Sequence, residues 1–168
     1  MKTYSYTKFH DDCIAFIQLI EKLLIINKID IDLNRIDHLC FRVETFEQYE
    51  EYKNLFLDWG VMLIESTISL RKISTFRLYK KIQYKNVNLD IIELPQPKKN
   101  NCYSLGLEHA EFVIEDSFNN FMNKYPELDF DLRSINKKSN PELCLSLNDG
   151  VNIKFHHLSL ENLIKLDK

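Results

Sequence analysis

Residues 36–43 read Ile-Asp-His-Leu-Cys-Phe-Arg-Val, and residues 107–114 read Leu-Glu-His-Ala-Glu-Phe-Val-Ile. Each is a strand-length run with an acid-His pair near its start, one in each half of the chain. Two later runs follow them at similar intervals, Leu89-Asp-Ile-Ile-Glu93-Leu-Pro95 and Val151-Asn-Ile-Lys-Phe-His156. A chain that twice plants a His early and a metal-capable residue late reads as a duplicated module with one shared site.

The segments around these strands repeat as well. Before the first lies an amphipathic helix, with Phe9, Cys13, Phe16, Ile17, Ile20 and Leu24 at spacings of three and four. Asp11 and Asp12 are expected near its positive end. After the first strand, Thr45-Phe-Glu-Gln48 predicts a capping box, and Phe46, Tyr49, Tyr52 and Phe56 predict one face of a helix ending near Gly60. Residues 61–66, 73–79 and 87–94 read as three more strands. Pro95 to Asn101, with two prolines and a polar run, reads as a linker. In the second half, Asp116 is expected to cap a helix carrying Phe118, Phe121, Met122 and Tyr125, stopped by Pro126. Residues 130–133 form a short strand. Residues 143–147 and 151–157 are joined through Asn148-Asp-Gly150, which predicts a tight primed hairpin turn. Ser159 is expected to cap a short last helix. The order is helix, β-α-β-β-β, linker, β-α-β-β-β, helix. The expected organisation is one domain over 1–168, with a helical segment 1–34, modules 35–95 and 107–168, and a linker 96–106.

Bulk properties narrow the function classes. The 168 residues are 45% apolar and 12% aromatic, enough for a real core. A net charge of −3 and a pI near 6.0 argue against a nucleic-acid surface. Lys80-Lys81, Lys98-Lys99 and Lys137-Lys138 read as solvated loops. The apolar stretch 14–26 is interrupted by Gln18, Glu21 and Lys22, so no membrane association is expected. The opening residues carry no leader pattern. The four cysteines form no C-x-x-C pair, which predicts free thiols and a cytoplasmic location.

Alternation along the strands sorts the polar residues. Leu39, Phe41 and Val43 oppose His38, Cys40 and Arg42. Ala110, Phe112 and Ile114 oppose His109 and Glu111. Val151, Ile153 and Phe155 oppose Asn152, Lys154 and His156. The plain reading is a sheet with one wet face. Against it, that face is rich in metal-ligand types, and Glu93 stands in a strand otherwise apolar on both faces. Imidazoles with one carboxylate suit Zn, Fe, Mn, Co or Ni, and suit Ca or Mg poorly. Cys40, between His38 and Arg42, is either a thiol activated by positive charge or a small buried filler. His10 and His157 fall outside the repeat and read as surface residues.

The duplicated plan resembles the vicinal oxygen chelate superfamily, which includes glyoxalase I, bleomycin-resistance proteins and extradiol dioxygenases. More closely, Asp-His-Leu-Cys-Phe-Arg, Ile-Ile-Glu-Leu-Pro-Gln-Pro, Leu-Glu-His-Ala-Glu-Phe-Val-Ile and Ile-Lys-Phe-His resemble the signatures of the bacterial YecM-like family. The resemblance covers nearly the whole chain. It implies an α+β fold in which two β-α-β-β-β modules form a curved, cup-like mixed sheet, with an extra N-terminal helix and a short C-terminal helix. It also implies a divalent-metal site on His38, Glu93, His109 and His156. One departure concerns the last position, where metal enzymes of the wider superfamily commonly carry a carboxylate and this chain has His156. That argues against glyoxalase-like proton transfer.

Two functional classes follow. In the first, a metal-dependent isomerase, lyase or oxygenase acts on a small oxygen-rich molecule chelated through two oxygens. Glu111 is then the candidate general base, His156 a fourth ligand or a base, and Arg42 and Lys154 the clamps for an anionic substrate. In the second, the same cleft holds a small molecule without turnover. A buried ion network is the non-functional alternative. Monomer and homodimer are equally compatible with the sequence.

Overall fold

The computed structural model describes residues 4–68, 70–99 and 101–166. Asn100, within the expected linker, lies outside them.

Helix α1 (Tyr6–Ile26) starts earlier than its apolar stripe suggests, because Ser5 caps it by accepting from the Lys8 amide at 3.2 Å. Asp11 and Asp12 therefore lie past the first turn, and Asp12 accepts from the Tyr4 hydroxyl instead, at 2.8 Å. β1 (Ile36–Arg42) leads into α2 (Phe46–Trp59). Thr45 Oγ1 accepts from the Gln48 amide, while the Gln48 side chain reaches back to the Glu44 amide, one residue before the cap.

Next come β2 (Gly60–Ile68), β3 (Arg71–Tyr84) and β4 (Val87–Pro95). β3 is longer than expected. It runs on past an irregularity between Arg77 and Ile82, so Lys80 and Lys81 are strand residues rather than loop residues.

The second module comprises β5 (Gly106–Val113), α3 (Phe118–Lys124), β6 (Phe130–Asp131), β7 (Leu143–Ser146) and β8 (Asn152–His156). Ser117, not Asp116, caps α3, since its hydroxyl accepts from the Asn120 amide at 3.2 Å. The turn after β7 is a three-residue 3-10 turn over Asn148–Gly150 rather than a two-residue primed turn, with Gly150 at φ 73°. Five residues, 147–151, separate the paired strands, which leaves room for a helical turn closed by one left-handed residue. α4 (Leu160–Leu166) starts at the Ser159 cap, as expected.

All eight strands form one open, curved, mixed sheet in the order β2-β3-β4-β1-β5-β8-β7-β6. Within each module the first and last strands are parallel neighbours, β1 with β4 and β5 with β8. The modules meet at the antiparallel pair β1–β5. The four strands carrying the candidate residues are therefore the four central ones.

The apolar face is covered by helices. Phe9, Phe41, Phe56 and Trp59 pack ring on ring between α1, α2 and β1, while Phe121 of α3 lies 4.5 Å from Phe155 of β8. Among the described residues, no helix is long and apolar enough to cross a membrane.

Gly60 marks a close approach. A Cβ placed there would lie 2.2 Å from the Arg77 carbonyl oxygen on the paired strand. Backbone cannot yield as a flexible side chain can. Gly60→Ala is expected to lower stability by roughly 1–3 kcal/mol, read as a lower urea midpoint with unchanged slope. A midpoint equal to wild type would refute the close contact.

Candidate metal centre

Two β-bulges build the site. Along the β1–β5 pair, Ile36 faces Phe112 and His38 faces Glu111, so Asp37 is an extra residue on β1. Further along, Cys40 faces His109 and Phe41 faces Leu107, so Glu108 is an extra residue on β5. In a regular strand, neighbouring side chains point to opposite faces. A bulge removes that restriction and re-aims the side chain. Each acid can therefore reach the His that follows it. Asp37 Oδ2 lies 2.8 Å from His38 Nδ1, and Glu108 Oε2 lies 2.9 Å from His109 Nδ1. His156 Nδ1 turns to the Leu158 carbonyl oxygen.

The three imidazoles are thus tied in the same sense. Each Nδ1 faces an acceptor and must carry the proton that it donates. Each Nε2 points inward, and all three meet Glu111. His109 Nε2 is 3.1 Å from Glu111 Oε1, His38 Nε2 is 3.5 Å from the same oxygen, and His156 Nε2 is 3.6 Å from Oε2. Nε2 of His38 and of His156 are buried without a hydrogen-bond partner. Lys154 Nζ completes the surroundings of Glu111 at 2.7 Å.

The charges respond to this crowding. Burial works against ionisation of Glu111, but Lys154 and then His38 outweigh it and hold the carboxyl well below the usual range. Burial opposes protonation of His38 too, yet Glu111 and Asp37 push it up to about 10. Glu108 is held down to about 2 despite burial, by its His109 hydrogen bond and by Arg42. His156 is lowered, mainly by burial.

The sequence-predicted ligands share one region but not one point. Among the described residues, donor atoms lie within 4.8 Å of one another in three overlapping groups: Asp37, His38 and His156; Cys40, Glu93 and His109; and His38, Glu93 and Glu111. No group holds all of His38, Glu93, His109 and His156. The register explains the spread. Glu93 pairs with Cys40, two residues after His38, whereas Lys154 pairs with Glu111, two residues after His109. Lys154 is therefore the positional counterpart of Glu93. His156 pairs with Val113, one step further along the same face.

The remaining candidates are also near. Arg42 Nε donates to Glu108, and its guanidinium carbon sits 4.9 Å over the Tyr103 ring. Lys154 is engaged by Glu111. Asp37 and Glu108 were not singled out from sequence. Their signal was present as an acid directly before each His, but regular alternation would put both on the wrong face.

Cys40 is buried and level with Glu93 and His109, whereas Cys102 is exposed and Cys13 is buried. Access rather than thiolate character then governs reaction. Iodoacetamide is expected to modify Cys102 of the native protein first, with Cys13 and Cys40 reacting only as the fold opens. Peptide mass mapping over time checks this, and early labelling of Cys40 would contradict it.

The YecM protein family matches residues 5–167 of the chain. An uncharacterised protein of Haemophilus influenzae is 29% identical, over 96% of this chain and 95% of that one. A solved structure described as protein EC4020 superposes with a TM-score of 0.74 at 23% identity, covering 96% of this chain and 92% of that one. Streptomyces coelicolor methylmalonyl-CoA epimerase, solved with 2-nitronate-propionyl-CoA, superposes with a TM-score of 0.51 at 11% identity, over 74% of this chain and 96% of that one. The likeness of the epimerase to this chain is one of fold. The chain belongs to the YecM family.

Proposed function

We propose that the cluster binds a divalent transition metal through ligands drawn from His38, Glu93, His109 and His156, which lie in overlapping sets rather than at one point, and presents it to a small oxygen-rich molecule in the cup. The observation that carries this reading is the common orientation of the three imidazoles. Each Nδ1 is tied to an outer acceptor, and each Nε2 is turned inward. Outer acceptors of this kind fix the tautomer and raise the basicity of a metal-binding His. Two of the inward nitrogens are buried without a partner, which is costly for a purely structural histidine.

The donor set suits Zn, Fe, Mn, Co or Ni. Such an ion would supply Lewis-acid stabilisation of negative charge on a bound oxygen. Asp37 and Glu108 orient the rings of His38 and His109. Glu111 supplies counter-charge at the middle of the cluster. With Lys154 at 2.7 Å and three imidazoles around it, we assign it that role rather than general base. Leu160 at the start of α4 donates its amide to Asp37 Oδ2 at 2.8 Å, so α4 braces this orienting acid.

A second reading is favoured by the ion pairs Lys154–Glu111 and Arg42–Glu108. These neutralise two of the carboxylates without any metal. The cleft would then be a non-catalytic binding site for a small molecule.

Thermal unfolding with and without chelator, followed by titration with each of the five metals, separates the readings. In the metal reading, at least one ion raises the transition. Glu93→Gln and Asp37→Asn should each weaken that ion's binding by roughly tenfold or more, with little change in the chelated Glu93→Gln protein. A wild-type transition indifferent to chelator and to all five ions, with Glu93→Gln strongly destabilised, would leave the metal-free reading standing.

A further inference from the structure

We infer that Arg42 and Arg71 form an oxyanion subsite beside the histidine cluster, taking the carboxylate or phosphate group of a small ligand whose other oxygens face Glu93 and the imidazoles. This deepens the preceding reading by naming a substrate class, and it rests on the cluster being a ligand-binding centre.

Each guanidinium is anchored by one edge and leaves a donor free. Arg42 Nε is taken by Glu108 and its plane rests over Tyr103, while Nη1 is buried without a partner. Arg71, the first residue of β3, donates Nη1 to the Gln96 carbonyl at 3.2 Å, while its Nε is buried without a partner. Among the described residues, no carboxylate lies within 4.0 Å of the Arg71 guanidinium. Arg42, two residues past Cys40 on β1, and Arg71, two residues before Ile73 on β3, lie on one face and toward the same end of the sheet, because Cys40 is level with Glu93 and Ile73 is level with Pro95 of the intervening β4. Buried N–H donors left unfilled on these cations are costly until an anion accepts from them. Forked guanidinium donors match the two oxygens of a carboxylate or phosphate.

Position supports the same conclusion. Arg42 is the next residue after Cys40 on the cavity face of β1, and Cys40 is level with Glu93. Two residues of strand span roughly 6–7 Å, the length of a short-chain acid or a small phosphate ester. Arg71 also lines a cavity of about 820 Å³ with Glu44, Gln96, Lys98 and Lys99, whose lining residues do not include Arg42 or the histidines. A space of this size admits a small metabolite. Lys98 and Lys99, read from sequence as a solvated loop, add positive charge to its wall.

The test uses inorganic phosphate and malonate as probes, titrated calorimetrically into the full chain after chelator treatment. Saturable one-to-one binding of at least one probe is expected, and the probe that binds assigns the group as phosphate or carboxylate. Arg71→Gln should weaken it by roughly tenfold or more, and Arg71→Lys should weaken it less. Arg35→Gln, at a surface ion pair with Glu115, should leave it unchanged. Arg42→Gln should match Arg71→Gln. If loss of the Glu108 pair unfolds that variant, the Arg71 series decides the matter alone. Absence of saturable binding for both probes, or binding indifferent to Arg71→Gln, overturns the subsite. The metal titration stands apart. Anion binding without metal binding would remove the metal reading and keep this subsite, and the converse would do the reverse.

Discussion

The antiparallel seam between β1 and β5 is the constraint on which the rest depends. It joins the two modules, and it carries both bulges. Because Asp37 and Glu108 are each one residue too many for the ladder, each turns its carboxylate toward the next residue's imidazole. The bulges occur on opposite strands of the pair, one per module. The site thus inherits an approximate two-fold arrangement of acid and His. Straightening either bulge would return its acid to the helix-covered face, where a carboxylate is not tolerated.

The apolar side of the sheet makes the polar side affordable. Leu39, Phe41, Phe112, Ile153 and Phe155 are almost fully buried under α1, α2 and α3. On the other face, His38, His109, Glu111 and His156 are buried as well. Desolvating such groups costs several kcal/mol per ion, and pairing offsets this only in part. Glu111 shows the compensation most directly, with one lysine and three imidazoles around its two oxygens.

The two ends of the cavity face differ in chemistry. Toward α4, the cluster ends in His156, Asp37 and the Leu160 amide. Toward β3, it passes through Cys40 and Glu93 to Arg42 and Tyr103. The asymmetry arises because Lys154, not His156, stands level with its module's central residue as Glu93 does in the other.

The sequence by itself determined the repeat, the two-module order, the helix faces and which face of each central strand is polar. Those features follow from local periodicity and turn chemistry, which a single chain displays directly. It also located the histidines, Glu93 and Arg42. The tertiary structure decided the rest. Asp37 and Glu108 became orienting residues only through bulges, which depend on pairing between strands about seventy residues apart. Arg71 came to lie on the same face of the sheet as Arg42 only because β3 folds back beside β4. The separation of His156 from Glu93 and His109 came from a two-residue difference in register between the parallel pairs, and register is a property of two strands together, not of either one.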